Sequence, residues 1–249
     1  VLSGDLTLET GSGLQLDRTT LMLPEGGTVN VEGSAQLLGD ASTITAHSIS
    51  MGQDSTLSSS NVEDGFTVFG NVSWACQTLR TSNYVHIDGH LMLQPGCKMD
   101  LIAGTISGTV TALTGSELNV LSELNVRVLD QGEPVEDALI SVDGAVGSTD
   151  AEGRLSTTAV ARKVTDSSET LGGIKNINLQ IGSFSDFVTW DSTGSFDHTF
   201  MASRIDGGTL DQWLILESQW SPYFLDEDLV VGHLHHNHLL YYCLHHRNP

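Results

Sequence analysis

The sequence predicts an all-β chain whose first half winds as a parallel β-solenoid. Three observations carry this reading. The segments Leu21-Met22-Leu23-Pro24-Glu25-Gly26 and Leu91-Met92-Leu93-Gln94-Pro95-Gly96 match at a distance of seventy positions. Apolar pairs recur between them at Ile44/Ala46 and Phe66/Val68, so the series 21, 44, 66, 91 steps by 23, 22 and 25 residues, the size of one solenoid coil. Finally, 26 glycines and only 5 prolines accompany short alternating runs of Thr, Ser, Val and Leu, with no long helical periodicity anywhere.

From Leu6 to about Val120 the alternating pairs follow closely: Leu6/Leu8, Leu14/Leu16, Leu21/Leu23 and Val29/Val31. Pairs every seven to eight residues imply three short strands per coil. The solenoid is expected over residues 1–122, in coils of about 22–25 residues, with Gly26, Gly33 and Gly96 at corners. One coil cannot bury its apolar face alone, so stacking supplies the core and open ends need caps. Cys76 and Cys97 lie 21 residues apart, close to one coil. Strands stacked at about 4.8 Å would bring them within disulfide reach, and a bridge is expected; the alternative is two buried thiols that never pair. Cys243 has no obvious partner.

Near Ser122 the pattern changes. Leu124-Asn-Val126-Arg-Val128 leads into Asp130-Gln-Gly132-Glu-Pro134-Val135-Glu-Asp-Ala138-Leu-Ile140-Ser-Val142, then Thr149-Asp150-Ala151-Glu152-Gly153. Gly132 and Pro134 suit a hairpin-like turn, Ala138, Ile140 and Val142 alternate inward, and Asp150 to Gly153 suits a tight turn. This run resembles the carboxypeptidase-regulatory-like, transthyretin-like β-sandwich module of secreted and surface proteins. The resemblance implies a transthyretin-like or Ig-like sandwich over 123–204, with later strands at Ile177/Leu179/Ile181 and Phe196/His198/Phe200 and a longer loop from Val164 to Lys175. It implies no peptidase activity.

Residues 205–231, with Trp213, Trp220 and Tyr223, resemble the lead-in to right-handed parallel β-helix domains of prokaryotic surface proteins. The resemblance implies the start of a second, truncated solenoid whose apolar end those aromatics would cap. The tail 232–249 holds six histidines and is expected to be a disordered end or an artefact. Its alternative is a metal tract of His233, His235, His236 and His238. The chain starts at Val1 without a leader and reads as an excised or mature piece.

Charge narrows the function classes. Thirty-one acidic residues against ten basic ones give a formal net charge of −21, a field that repels phosphate backbones and anionic headgroups, so neither nucleic acid nor membrane insertion is expected. Candidate chemistry is sparse. His86, Asp88 and His90 alternate at strand period and form the metal-site candidate, although Gly89 between them suits a turn that breaks the parity. Lys98 is the solenoid's only lysine, and Arg18 and Arg80 lie far from it, which leaves a polysaccharide-lyase base without partners. Glu136-Asp137 and Asp226-Glu227-Asp228 fall where solvated charge is the ordinary state. One sequon occurs at Asn71-Val72-Ser73.

The reading is therefore a non-catalytic structural, adhesive or spacer fragment of a secreted or cell-surface prokaryotic protein, with extracellular glycans or other surface proteins as partners and no catalytic residues or obligate cofactor. The alternatives are a glycan-binding part of a carbohydrate-active enzyme and a module stabilised by Ca²⁺.

Overall fold

The computed structural model describes residues 3–62, 64–130, 133–142, 144–172, 174–181, 184–191, 201–204 and 212–217. These residues form strands and turns without a helix. The chain divides into two units: Val1–Leu121 with Val160–Leu171, and Ser122–Ala159 with Gly172–Pro249.

The first unit is a parallel β-solenoid of about six coils, each with up to three strands. At the first strand position Leu6–Leu8 pairs in parallel with Thr28–Val31, and the ladder continues through 48–51, 71–74, Leu91–Leu93 and Val110–Ala112. At the second position Gly13–Asp17, Gln36–Asp40 and Thr56–Ser58 form one sheet, while Arg80–Asn83, Lys98–Ile102 and 117–121 pair in another. At the third, Thr20–Met22 is followed by 43–45, 66–69, Val85–Asp88 and Thr105–Ile106. The first- and third-position strands together make one nine-stranded sheet, because Ser42–Met51 and Phe66–Trp74 each run through both positions.

Alternation then decides what faces inward. Leu6, Val29, Ile49, Val72, Leu91 and Val110 stand in register along one ladder, and the middle four are almost wholly buried. Burying each such side chain contributes about 1.5–3 kcal/mol relative to exposure, and only stacking makes that burial possible. Between Thr56–Ser58 and Arg80–Asn83 side chains take over the ladder's role. The buried Ser82 hydroxyl donates to the Leu57 carbonyl at 2.6 Å, and Asn83 N–H donates to the Ser58 hydroxyl at 3.2 Å.

Each corner has its own rule. At the first corner the N–H groups of Ser12, Ala35, Ser55, Cys97 and Ser116 donate to the carbonyls of Glu9, Glu32, Gly52, Gln94 and Leu113 at 2.9–3.2 Å. At the second, single residues in the left-handed region redirect the chain: Arg18, Ala41, Tyr84 and Ala103 have φ of 45°, 48°, 52° and 48°. Such conformations cost roughly 1–3 kcal/mol in a non-glycine residue, and the stack supports them. Arg18, Tyr84 and Ala103 each donate an N–H to a carbonyl of the next coil at 2.9 Å.

The third corner is held close by glycine. Gly70, Gly89 and Gly108 recur at 19-residue steps, and Gly108 N–H donates to the Gly89 carbonyl at 3.0 Å. A Cβ on Gly89 would collide with the carbonyl oxygen of Gly70, and one on Gly108 with that of Gly89.

The register reassigns the seventy-residue match. Leu21 stands on the ladder Leu21, Ile44, Val68, Ile87, Ile106, in steps of 23, 24, 19 and 19, whereas Leu91 belongs to the ladder that starts at Leu6. The two segments look alike because both are a strand followed by the same turn. Gly27 N–H bonds to Pro24 and Cys97 N–H to Gln94, and Gly26 and Gly96 both adopt φ 76°. Equal turns at different corners imitate a whole-coil repeat.

Residues 160–171, expected as sandwich strand and loop, belong to the solenoid unit. Arg154–Thr165 turns through Ser168 and pairs antiparallel with Glu169–Leu171, and Arg154–Thr165 also neighbours Glu117–Asp130 in its sheet. Val164 joins the solenoid core, Lys163 Nζ meets Glu117 at 2.8 Å, and Gly115 N–H donates to Asp166 at 2.8 Å. The hairpin thereby occupies an edge that would otherwise present open backbone groups.

In the second unit, Ala145–Ser148, Leu139–Val142, Ile174–Ile181 and Phe184–Asp191 form a four-stranded antiparallel sheet. Residues 125–130 pair antiparallel with Gln212–Glu217, which pairs with Met201–Arg204. The described part of the expected second-solenoid lead-in, Gln212–Glu217, therefore pairs with 125–130 and Met201–Arg204. Leu124, Val126, Val128, Ala138, Ile140, Val142, Ala159 and Ile177 make a separate core. The buried Thr149 hydroxyl bonds Val135 and Ala138, and Asp150 accepts the N–H groups of Glu152 and Arg154. Phe196, His198, Phe200, Trp220, Tyr223, Cys243 and the histidine tail lie outside the described residues.

Gly89→Ala is expected to destabilise the chain by about 2–3 kcal/mol, the cost of overpacking. Gly4→Ala, whose new Cβ meets nothing within 4 Å, is expected to be neutral. Chemical denaturation of the two variants checks this.

Candidate functional site

The metal-site candidate spans a strand and a corner. His86 and Asp88 lie on Val85–Asp88, and His90 follows the Gly89 corner. Each of the three turns to the coil that follows. His86 Nδ1 shares a hydrogen bond with Thr105 Oγ1 at 3.0 Å, and Asp88 Oδ1 accepts the Ser107 hydroxyl at 2.6 Å. His90 Nδ1 accepts the Thr109 N–H at 2.9 Å and lies 2.8 Å from the Thr109 hydroxyl. An acceptor Nδ1 places the imidazole proton on Nε2. The His90 contact continues a ladder, since His90 N–H donates to Asn71 Oδ1 at 3.1 Å. These residues therefore join coils at 19-residue spacing and are not turned toward a common point. Among the described residues, no group of three or more His, Cys, Asp or Glu side chains is placed to hold a metal ion.

His86 is half-buried, and burial pushes its pKa below the ordinary value by disfavouring the imidazolium. Lys98 and Arg18 do not join a catalytic cluster. Lys98 stands in register with Glu117, Arg18 is a corner residue, and Arg80 pairs with Asp54 across the coil boundary.

Cys76 and Cys97 are joined by a disulfide, with their Cα atoms 4.6 Å apart. It links the fourth coil to the fifth at the first corner, beside the buried Trp74 and Met99.

A polar cluster without a motif lies at the second corner of the second coil. Asp40 ends the strand Gln36–Asp40, and the segment Ser59–Asn61 of the next coil closes over its carboxylate. Oδ1 accepts the Ser59 hydroxyl at 2.9 Å, Ser60 N–H at 2.8 Å and Asn61 N–H at 3.2 Å, while Oδ2 accepts the Ser60 hydroxyl at 3.0 Å. Burial raises the Asp40 pKa, but these donors outweigh it and hold the group below the usual carboxylate range. Glu117 is lowered by its hydrogen bond to Lys163. The only hint of the Asp40 cluster in the sequence is its spacing of 19–21 residues, one coil, which becomes readable once the register is known.

Compared with known proteins, the chain matches no family, no curated protein and no solved structure. Among the described residues no helix is long and apolar enough to cross a membrane.

Two pH predictions follow from opposite signs of charge. The unfolded chain protonates His86 more readily than the folded one, so acidification below about pH 6.5 favours unfolding. His86→Asn is expected to flatten that part of the melting-temperature profile. Asp40→Asn is expected to cost about 1–3 kcal/mol at neutral pH. Because the folded Asp40 pKa is depressed, its contribution is present above about pH 4 and is lost as pH falls through the folded value. The difference between wild type and Asp40→Asn should then shrink in acid; a difference that stays constant would contradict a charged Asp40.

Proposed function

We propose that the chain is a non-catalytic structural segment of a large extracellular or cell-surface protein. In this reading the solenoid holds distance. The second unit, read as a carboxypeptidase-regulatory-like β-sandwich, joins or orients solenoid segments.

The observation that carries the proposal is where the solenoid's reactive side chains are used. His86, Asp88, His90 and Asn71 all bond the neighbouring coil, so groups that a catalytic site would aim at substrate instead tie the stack together. The Cys76–Cys97 disulfide supports an oxidising compartment, and the charge of −21 supports a well-solvated surface.

A spacer must resist extension, which single-molecule pulling of the whole chain measures directly. The solenoid is expected to yield in discrete steps, and the 21-residue segment closed by the disulfide should stay hidden. Reduction should then add about 7 nm of contour length, from about 3.3–3.6 Å per residue. A single featureless extension at low force would remove the distance-holding role. In equilibrium melts, the paired change Cys76→Ser with Cys97→Ser is expected to cost about 3 kcal/mol.

A further inference from the structure

The nine-stranded sheet differs from the rest of the solenoid in charge. In a chain with 31 acidic residues, Asp88 is the single acidic residue on its nine strands, and those strands carry no lysine or arginine. The second-position strands of the same coils carry Asp17, Asp40, Arg80, Lys98, Asp100 and Glu117. On the outward face of the nine-stranded sheet threonine, serine and asparagine prevail, in rows set by the backbone register.

In the middle of this neutral face stands an exposed aromatic. Phe69 is 42 % accessible, although alternation and a core position were available to it one residue away at Val68, which is fully buried. Thr45 and Asp88 lie in register on the two flanking strands, and Thr67 is two positions along the same strand. Met22, on the same row as Thr45 and Phe69, and Met92 are also exposed, at 46 % and 38 %.

We propose that this face binds a neutral polysaccharide, with the Phe69 ring stacking on the apolar face of one sugar ring and the flanking Thr45 and Thr67 bonding its hydroxyls. The chemistry selects this occupant. Hydroxyl and amide side chains both donate and accept, as sugar hydroxyls do, and an aromatic ring supplies the apolar platform. The absence of basic residues from these strands, in a field of net negative charge, disfavours acidic glycans and nucleic acids. A repetitive face meets a repetitive polymer through many weak contacts, so avidity arises from length. A spacer needs no ligand, so failure here would leave the mechanical reading untouched, and failure under force would leave this one.

Affinity electrophoresis of the whole chain tests it, in native gels containing a neutral glucan, a galactomannan or a xylan, with polygalacturonate and alginate as acidic controls. Retardation by at least one neutral polymer and by neither acidic one is expected. Phe69→Ala should weaken binding about tenfold, while Leu79→Ala, which removes a still more exposed apolar side chain outside the sheet's strands, should leave it intact. Thermal melts of both variants confirm folding, and Phe69→Tyr should restore binding. The proposal fails if no neutral polymer retards the chain or if Phe69→Ala binds as wild type. It also fails if sedimentation shows self-association that Phe69→Ala abolishes, because the face would then belong to a second copy.

Discussion

Everything in the solenoid rests on one constraint: each coil lays its strands in parallel register on the coil before it. That ladder satisfies the backbone, and it also places side chains of like position directly above one another. A residue's neighbours are therefore set by coil spacing and only secondarily by sequence distance. Val29 rests on Leu6 and beneath Ile49 because the backbone pairs that way, and the apolar core is the result of repeating this choice. The corners inherit the constraint. Single left-handed residues at Arg18, Ala41, Tyr84 and Ala103 are tolerable because neighbouring coils make the same excursion.

The same stacking explains why the polar candidates look like a site in the sequence and act as fasteners in the structure. A side chain on a corner lies closer to its equivalent in the next coil than to a residue two positions along. Asn71 Oδ1 takes the His90 N–H, and His90 Nδ1 takes the Thr109 N–H. Asp88 likewise finds Ser107 rather than His86 or His90. His90 is parted from His86 and Asp88, which share the strand Val85–Asp88, because the chain bends at Gly89 before it.

The fold class and the three-strand coil were legible because inward residues alternate with period two and the pairs Leu6/Leu8 and Val29/Val31 repeat. The identity of each ladder was not. Corner turns of the same type recur at different corners, and coil length shrinks from 23 or 24 to 19 residues along the Leu21 ladder, so a fixed period drifts off the true register by Leu91. Ser82 illustrates a second limit. Serine reads as an outward residue, yet it is fully buried with its hydroxyl bonded to the Leu57 carbonyl, replacing a backbone ladder that is interrupted there. The hairpin that includes Glu169–Leu171 illustrates a third. Its residues are polar enough to read as a loop, and only long-range contacts such as Lys163 with Glu117 reveal its place on the solenoid.

Stacking also restricts where an acidic chain can carry its charge. Two like charges at about 4 Å repel by about 1 kcal/mol in water and more near a protein surface, so a column of carboxylates at strand spacing is costly. On the charged face the ladders answer this case by case. Lys98 opposes Glu117, Asp100 lies between Thr81 and Asn119, and Asp40, which stands in register with Asp17, gives its carboxylate to the serines of the following coil. Exposed Glu9, Glu25, Glu32, Asp54 and Asp64 occupy corners, where the chain bends away from strict superposition. Neutral strands in the nine-stranded sheet follow from the same electrostatics as its simplest solution. The exposed Phe69 does not, since threonine at its position would satisfy charge, strand preference and solubility together. An aromatic ring set into that neutral row is a feature the stacking of coils does not require, and contact with a ligand is the reason proposed for it.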